Sequence, residues 1–379
     1  MTGAACRVIL VPPLSAHGGV PSMALYWANA REALAGLADP RVTVQSVVPA
    51  AGWLRSRFSR RVCQRFILPR LVRAAAAREL RSGHLPVVHV LDQHYAYLLP
   101  RRGASVLTCH DLDVLIFPGR GPSKAEERSR TRHLLRAGVI HAISQNTARD
   151  VARLFPAAAA RVVVNHYGLD PIFCRRTVAA DAPHVAPLRA SGRACFILHV
   201  GSNVARKNIP VLLEGFAQAR ALAPSLGLKL VKVGDDLRAN GYRAMLEALG
   251  IAGDVIHLGS LDPARLVDVY NSCHALALPS RYEGFGRPVA EAQACGLPCI
   301  LAGTSSLPEV GGEAALYHAV DSAEGLAGQI LSVATDPALR DRLRAAGLAN
   351  ALRFSWRRHA ELLAASYLGG PARNGDSPA

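Results

Sequence analysis

Short apolar runs rich in β-branched residues alternate with longer amphipathic stretches along most of the chain. That alternation predicts parallel strands crossed by helices, an α/β class. In the first half the runs Arg7–Val11, Val42–Val48, Val87–Leu91, Ser105–Cys109 and Val139–Ser144 read as strands. Pro21–Ala35, Lys124–Arg136 and Asn146–Phe155 read as helices, with Gly36 placed to cap the first. The pattern lapses over Cys174–Arg193, which holds prolines and no clear period and reads as a linker. A second series then predicts strands at Cys195–Val200, Leu228–Val233, Val255–Leu258, Ala275–Leu278 and Pro298–Leu301. Its helices are Ile209–Leu222, Tyr242–Leu249, Pro263–Asn271 and Pro288–Cys295. Two doubly wound halves follow: residues 1–175, then a linker over 176–193, then 194–354, with a disordered tail at 369–379. In such sheets ligands bind beyond the carboxyl ends of the strands, so a central cleft between the halves is expected to hold the site.

Composition narrows this picture. The 379 residues are half hydrophobic and 19% charged, enough for two sizeable cores. The formal net charge is +16, which leaves three partner classes: nucleic acid, an anionic membrane surface, or a polyanionic small substrate. None of the eight cysteines forms a Cys-x-x-Cys or zinc-type spacing, so they read as core residues in a reducing cytoplasm. No apolar run is long enough to span a bilayer. The first residues hold Arg7 and stop at Pro12-Pro13, which suits a buried strand better than a signal peptide.

The densest chemistry lies at Ser280–Gly296, SRYEGFGRPVAEAQACG. Glu283 precedes a Gly284-Phe285-Gly286 turn, Pro288 opens a helix, and Glu291 falls in its first turn. Backbone amides and a helix N-terminus suit phosphate or sugar oxygens, and a carboxylate suits vicinal hydroxyls. Two glutamates at this spacing alone are ordinary surface and helix-start residues. The glycine turn, the proline and the apolar run HALALPS before them make the binding-site reading the stronger one. Upstream, His199–Phe216 ends a strand at Gly201 and carries Arg206-Lys207 just before a helix, a charge match for a diphosphate.

EGFGRPVAEA after an ALPS strand resembles the donor-site signature of family 4 glycosyltransferases, also called glycosyl transferases group 1, which have the GT-B architecture of two Rossmann-like domains. The resemblance implies that Glu283 contacts the transferred sugar. It implies that the amides of Gly284, Phe285 and Gly286 hold sugar and diphosphate, and that Glu291 holds the ribose. Lys207 then neutralises the leaving diphosphate, and Arg206 assists. Many members place an arginine directly after the strand-end glycine, where this chain has Ser202. The neighbourhoods Val231–Asp236 and His257–Leu261 would line the base pocket through backbone, Leu261 included. In TSSLPEVGG, Thr304–Gly312, Glu309 reads as structural, and Arg353–Tyr367 resembles the closing helix, about 355–368, that crosses back to the first domain.

In the first half, His110 follows the strand Ser105–Cys109, at a carboxyl end rather than mid-strand. The resemblance places a histidine here near the donor sugar, for hydrogen bonding or for shaping the reaction centre. Gly18-Gly19 allow close backbone approach to a ligand, or a tight strand–helix turn; both readings stand. Within residues 53–80, Arg55, Arg57, Arg60, Arg61, Arg65, Arg70 and Arg73 stand among Leu54, Phe58, Val62, Phe66 and Ile67, against one acid, Glu79. Basic amphipathic helices bind anionic membrane surfaces. A core-facing helix with a solvated basic face is the alternative. No RRM, KH or zinc-finger signature supports nucleic acid.

The expected activity is therefore a retaining transfer of a mannose- or glucose-type hexose from a UDP- or GDP-sugar to a lipid-linked glycan acceptor at the cytoplasmic membrane face. No Asp-x-Asp stands in a suitable strand context, so no metal is expected. The rivals are a sugar-nucleotide epimerase of the same fold and a non-catalytic membrane-docking protein.

Overall fold

The computed structural model describes residues 6–12, 21–49, 62–101, 103–117, 123–179, 182–192, 194–239 and 241–369. They form two compact units, one running to Gly168 and resuming at Ser355, the other spanning Leu169–Phe354.

The first unit holds β1 (Cys6–Val11), β2 (Val42–Ser46), β3 (Val87–Val90), β4 (Ser105–Cys109), β5 (Val139–Ala142) and β6 (Val162–Val164). All neighbours pair in parallel, in the order β2-β1-β3-β4-β5-β6. Strands β3 and β4 are buried at every position, as expected for a sheet covered on both faces. The helix Trp356–Tyr367 belongs to this unit and packs against the helix Pro21–Gly36. Its Tyr367 Oη meets His89 Nδ1 of β3 at 2.6 Å, and its Ser366 Oγ meets His141 Nε2 of β5 at 3.0 Å.

The second unit holds β7 (Phe196–Gly201), β8 (Lys229–Gly234), β9 (Val255–Gly259), β10 (Ala275–Leu278), β11 (Cys299–Ala302) and β12 (Ala315–His318). Its parallel order is β12-β11-β10-β7-β8-β9, the dinucleotide-binding arrangement. The order reverses between β7 and β10, and it is beyond the carboxyl ends of these two strands that such a sheet binds its ligands.

Several expectations need correcting. Strands β6 and β12 went unread. The stretch Lys124–Arg136 is an α-helix only to Thr131, then a 3-10 turn over Arg132–Arg136. Gly36 lies within the first helix, and the left-handed residue past its end is Ala38 (φ 48°). The supposed linker is part of the second unit and contains a short helix, Ala186–Ala190. Arg176 ties it down by donating to Asp268 at 2.8 Å and to the Ala264 carbonyl at 2.8 Å. Its prolines start turns there rather than mark a boundary.

Of the basic stretch, residues 53–61 lie outside the described residues. The remainder is a π-turn, Cys63–Ile67, and a helix, Leu68–Arg81. Leu68 and Val72 are buried, whereas Phe66, Leu71 and Leu80 are exposed beside exposed Arg65, Arg70, Arg73, Arg78 and Arg81. Among the described residues no helix is long and apolar enough to cross a membrane.

Candidate donor-binding site

Both reversal-point strands of the second unit end in polar loops. After β7 the chain passes Asn203, makes a 3-10 turn at Ala205–Lys207, and enters the helix Ile209–Leu222 through left-handed Asn208. After β10 it passes Ser280 and Glu283 and enters the helix Arg287–Ala294 through Gly286. The φ of Gly286 is 91°, a conformation that favours glycine, and a β-carbon there would also stand a tight 3.2 Å from Leu307 Cδ2.

The two loops meet at Glu283. Its Oε1 accepts from Lys207 Nζ at 2.6 Å and from Ser280 Oγ at 2.8 Å, and its Oε2 accepts from Arg206 Nη1 at 3.1 Å. Glu283 and Lys207 are 5% and 7% exposed, which makes this a buried ionic cluster rather than a surface pair. Burial pushes the Glu283 carboxyl upward, but the Lys207 and Arg206 charges outweigh it and hold the group below its usual range. An ionised carboxylate therefore faces two cations at the reversal point of the sheet.

Glu291 is buried one helical turn further on. Its Oε2 accepts from Tyr270 Oη at 2.9 Å and its Oε1 from Arg287 Nη2 at 3.1 Å. The Gly-Phe-Gly turn between the two acids is clamped from a distant segment. Ser306 Oγ reaches the carbonyls of Glu283 and Phe285, both at 2.9 Å, and Ser305 Oγ bonds the Glu283 N–H at 3.0 Å. The Phe285 ring packs edge-on to Phe354, 5.3 Å between centroids, so its side chain is part of the core.

Lys232 of β8 is fully buried, and burial pulls its ammonium down to about 8. Its Nζ donates to the carbonyls of Val233, at 3.1 Å, and Gly201, pinning the end of β7. Gly234 faces that carbonyl so closely that any β-carbon would collide, at 2.4 Å. Leu261 is half-buried just after β9.

In the first unit, His110 is buried at the end of β4. Its Nε2 donates to the Leu91 carbonyl at 2.7 Å, and its Nδ1 accepts from the Tyr167 hydroxyl. Burial lowers its pKa. With both ring nitrogens engaged, its geometry fits shaping of the surroundings rather than a direct bond to sugar. Gly18 and Gly19 lie outside the described residues.

Sequence reasoning thus located Glu283, Glu291, Lys207 and Arg206, and the structure brings Glu283, Lys207 and Arg206 together. It missed Ser280, Ser305, Ser306, Tyr270 and Lys232. The Thr304–Gly312 run was noticed, but for Glu309; a serine pair next to a Gly-rich turn carries no signal until the fold sets the two segments side by side.

Residues 185–349 match the family model described as glycosyl transferases group 1. The O-antigen chain mannosyltransferase B of Escherichia coli is 29% identical over 271 residues, covering 69% of this chain and 69% of that protein. The D-inositol 3-phosphate glycosyltransferase of Segniliparus rotundus is 36% identical over 180 residues, covering 45% of this chain and 39% of the relative. Among solved structures, Anabaena Alr3699/HepE in complex with UDP and glucose superposes with a TM-score of 0.71 at 17% identity, covering 96% of this chain and all of that one (100%).

Proposed function

We propose that this chain is a glycosyltransferase of the glycosyl transferases group 1 family, whose model matches residues 185–349, and that it transfers a mannose- or glucose-type hexose from a UDP- or GDP-sugar to a lipid-linked glycan acceptor, with retention of configuration, in cell-surface polysaccharide or lipopolysaccharide synthesis. The observation that carries this reading is the ionic cluster of Glu283, Lys207 and Arg206 at the reversal point of the second sheet. A relative that builds O-antigen chains supports the mannose and polysaccharide parts. A fold neighbour holding UDP and glucose supports a nucleotide-sugar donor.

The chemistry follows from charge. As the anomeric bond breaks, negative charge gathers on the leaving diphosphate. Lys207, Arg206 and the N-terminus of the helix Arg287–Ala294 stabilise it in a preorganised, largely buried setting. These fixed cations supply the positive charge at the leaving group, so the reading assigns no metal. Glu283 has both oxygens engaged but keeps lone-pair capacity on Oε2 for a sugar hydroxyl. It acts as a sugar ligand that also aims the two cations, not as a covalent nucleophile. Glu291, held by Tyr270 and Arg287, takes the ribose hydroxyls, and the backbone near Leu261 borders the base. His110 shapes the acceptor side. The enzyme sits peripherally on the cytoplasmic membrane face, docked through residues 53–80.

Replacing Lys207 with Ala is expected to lower kcat about a hundredfold or more. Arg206 remains to balance Glu283, so the variant keeps its fold. Wild-type turnover in Lys207→Ala, measured as release of nucleoside diphosphate, would remove the diphosphate role.

A further inference from the structure

The amino-terminal ends of β10 and β11 carry a second constellation, at the other pole of the second unit from the ionic cluster. The residues just before these strands and just after the helix Arg287–Ala294 line a cavity of about 650 Å³. Arg175, Arg176, Arg340, Arg344 and His274 line it, and no carboxylate does. Arg340 and Arg344 stand one turn apart on the helix Pro337–Ala351 and so share a face. The stems of Arg344 and Arg175 converge over Gly296, 3.1 and 3.5 Å from where its β-carbon would be.

Two of the four arginines have a carboxylate partner among the described residues and two do not. Asp268 takes Arg176 at 2.7 Å, and Asp341 takes Arg344. Arg340 meets only the carbonyls of Val333 and Ala334, at 2.6 and 3.1 Å, and Arg175 has no partner among the described residues. His274 Nδ1 accepts the Phe196 N–H at 3.1 Å, so its neutral ring carries the hydrogen on Nε2, one more donor at the cavity wall. Like charges held together around a concave space are stabilised by an anion that bridges them. The volume lies within the range of small-molecule sites, roughly 300–1,000 Å³. A concave, polar wall suits a soluble phosphate-bearing molecule better than a flat lipid surface.

We propose that this arginine-lined cavity binds a small soluble phosphorylated anion, separately from the sugar-nucleotide site. Glu283, Gly286 and Ser306 lie past the carboxyl ends of β10 and β11, whereas the cavity residues precede these strands. The two sites therefore sit at opposite ends of the same elements.

Calorimetric titration of the full chain with inorganic pyrophosphate tests this, in a Lys207→Ala background that weakens binding at the other site. Arg175→Ser with Arg344→Ser is expected to weaken pyrophosphate binding about tenfold or more. Arg342→Ser, an exposed charge on the same helix outside the cavity lining, is expected to leave it unchanged. Equal affinity in the double variant and its parent overturns the proposal. So does a double variant that loses sedimentation with phosphatidylglycerol vesicles while pyrophosphate binding stays intact, because the occupant would then be a lipid headgroup.

Discussion

Ser306 touches the Gly-rich turn twice, at the carbonyls of Glu283 and Phe285, and is itself fully buried. Ser306→Ala takes a hydroxyl donor from the Phe285 carbonyl, whereas the Glu283 carbonyl keeps the Ser305 hydroxyl at 2.8 Å, and the loss costs about 1–3 kcal/mol. Because the turn aims Glu283, activity is expected to fall at least severalfold as the melting temperature drops. An unchanged donor KM and kcat in that variant would show that the clamp is idle. Residues of this kind mark the limit of what the chain reveals before folding. Glu283, Glu291 and Lys207 were legible because a glycine turn, a proline and a strand end frame them within a few positions. Ser306 and Tyr270 act on those acids across 23 and 21 residues of chain, and only the sheet topology brings them there. His110 was legible by position, yet only the Tyr167 and Leu91 contacts reveal that its ring is already occupied.

Elements were read well where their apolar period ran long. The helix Ile209–Leu222 was placed to the residue, and β4 and β10 likewise. Strand β6 has only three residues, and β12 mixes buried and half-buried positions, whereas the equally short β10 is a continuous buried apolar run. The Cys174–Arg193 segment was misread because its fixation comes from Asp268 and Asn271, about 90 residues away, rather than from its own pattern. The helix Leu68–Arg81 keeps the amphipathic character expected of it, with Leu68 and Val72 inward and its arginines exposed. Each basic residue near an anionic surface contributes roughly 1 kcal/mol. Replacing Arg65, Arg70 and Arg73 with Ser is therefore expected to weaken binding to phosphatidylglycerol vesicles about a hundredfold at low salt. Vesicle binding at the wild-type level would place the membrane contact elsewhere.

At the scale of the whole molecule, two parallel six-stranded sheets carry buried histidines in their strands: His89, His141 and His199, with His359 on the closing helix of the first unit. Burial lowers the pKa of each, to about 3 for His141 and His199 and about 4 for His359, against an ordinary 6.5. A group with a depressed pKa is neutral in the fold and takes up a proton on unfolding once pH falls below 6.5. The stability these residues contribute is full above that pH and is lost progressively as pH falls toward 4 and then 3. The melting temperature is expected to drop by several degrees between pH 7 and pH 5; a flat profile would mean that the histidines are solvated. The overall class was legible from alternation alone. The particular strand orders were not, because the crossovers that set them leave no mark on local pattern. The excess of positive charge was legible as a number, but only the fold divides it between an exposed helix, a buried ionic cluster and an arginine-lined cavity.

The central claim is that the second unit grips a nucleotide-sugar through Lys207, Glu283 and Glu291. The most direct test is thermal stabilisation of the purified chain by a panel of UDP- and GDP-hexoses, beside Lys207→Ala and Glu291→Gln. The account predicts that one donor raises the wild-type melting temperature by several degrees and that both variants lose most of that shift. No shift with any donor, or an equal shift in all three proteins, would contradict it.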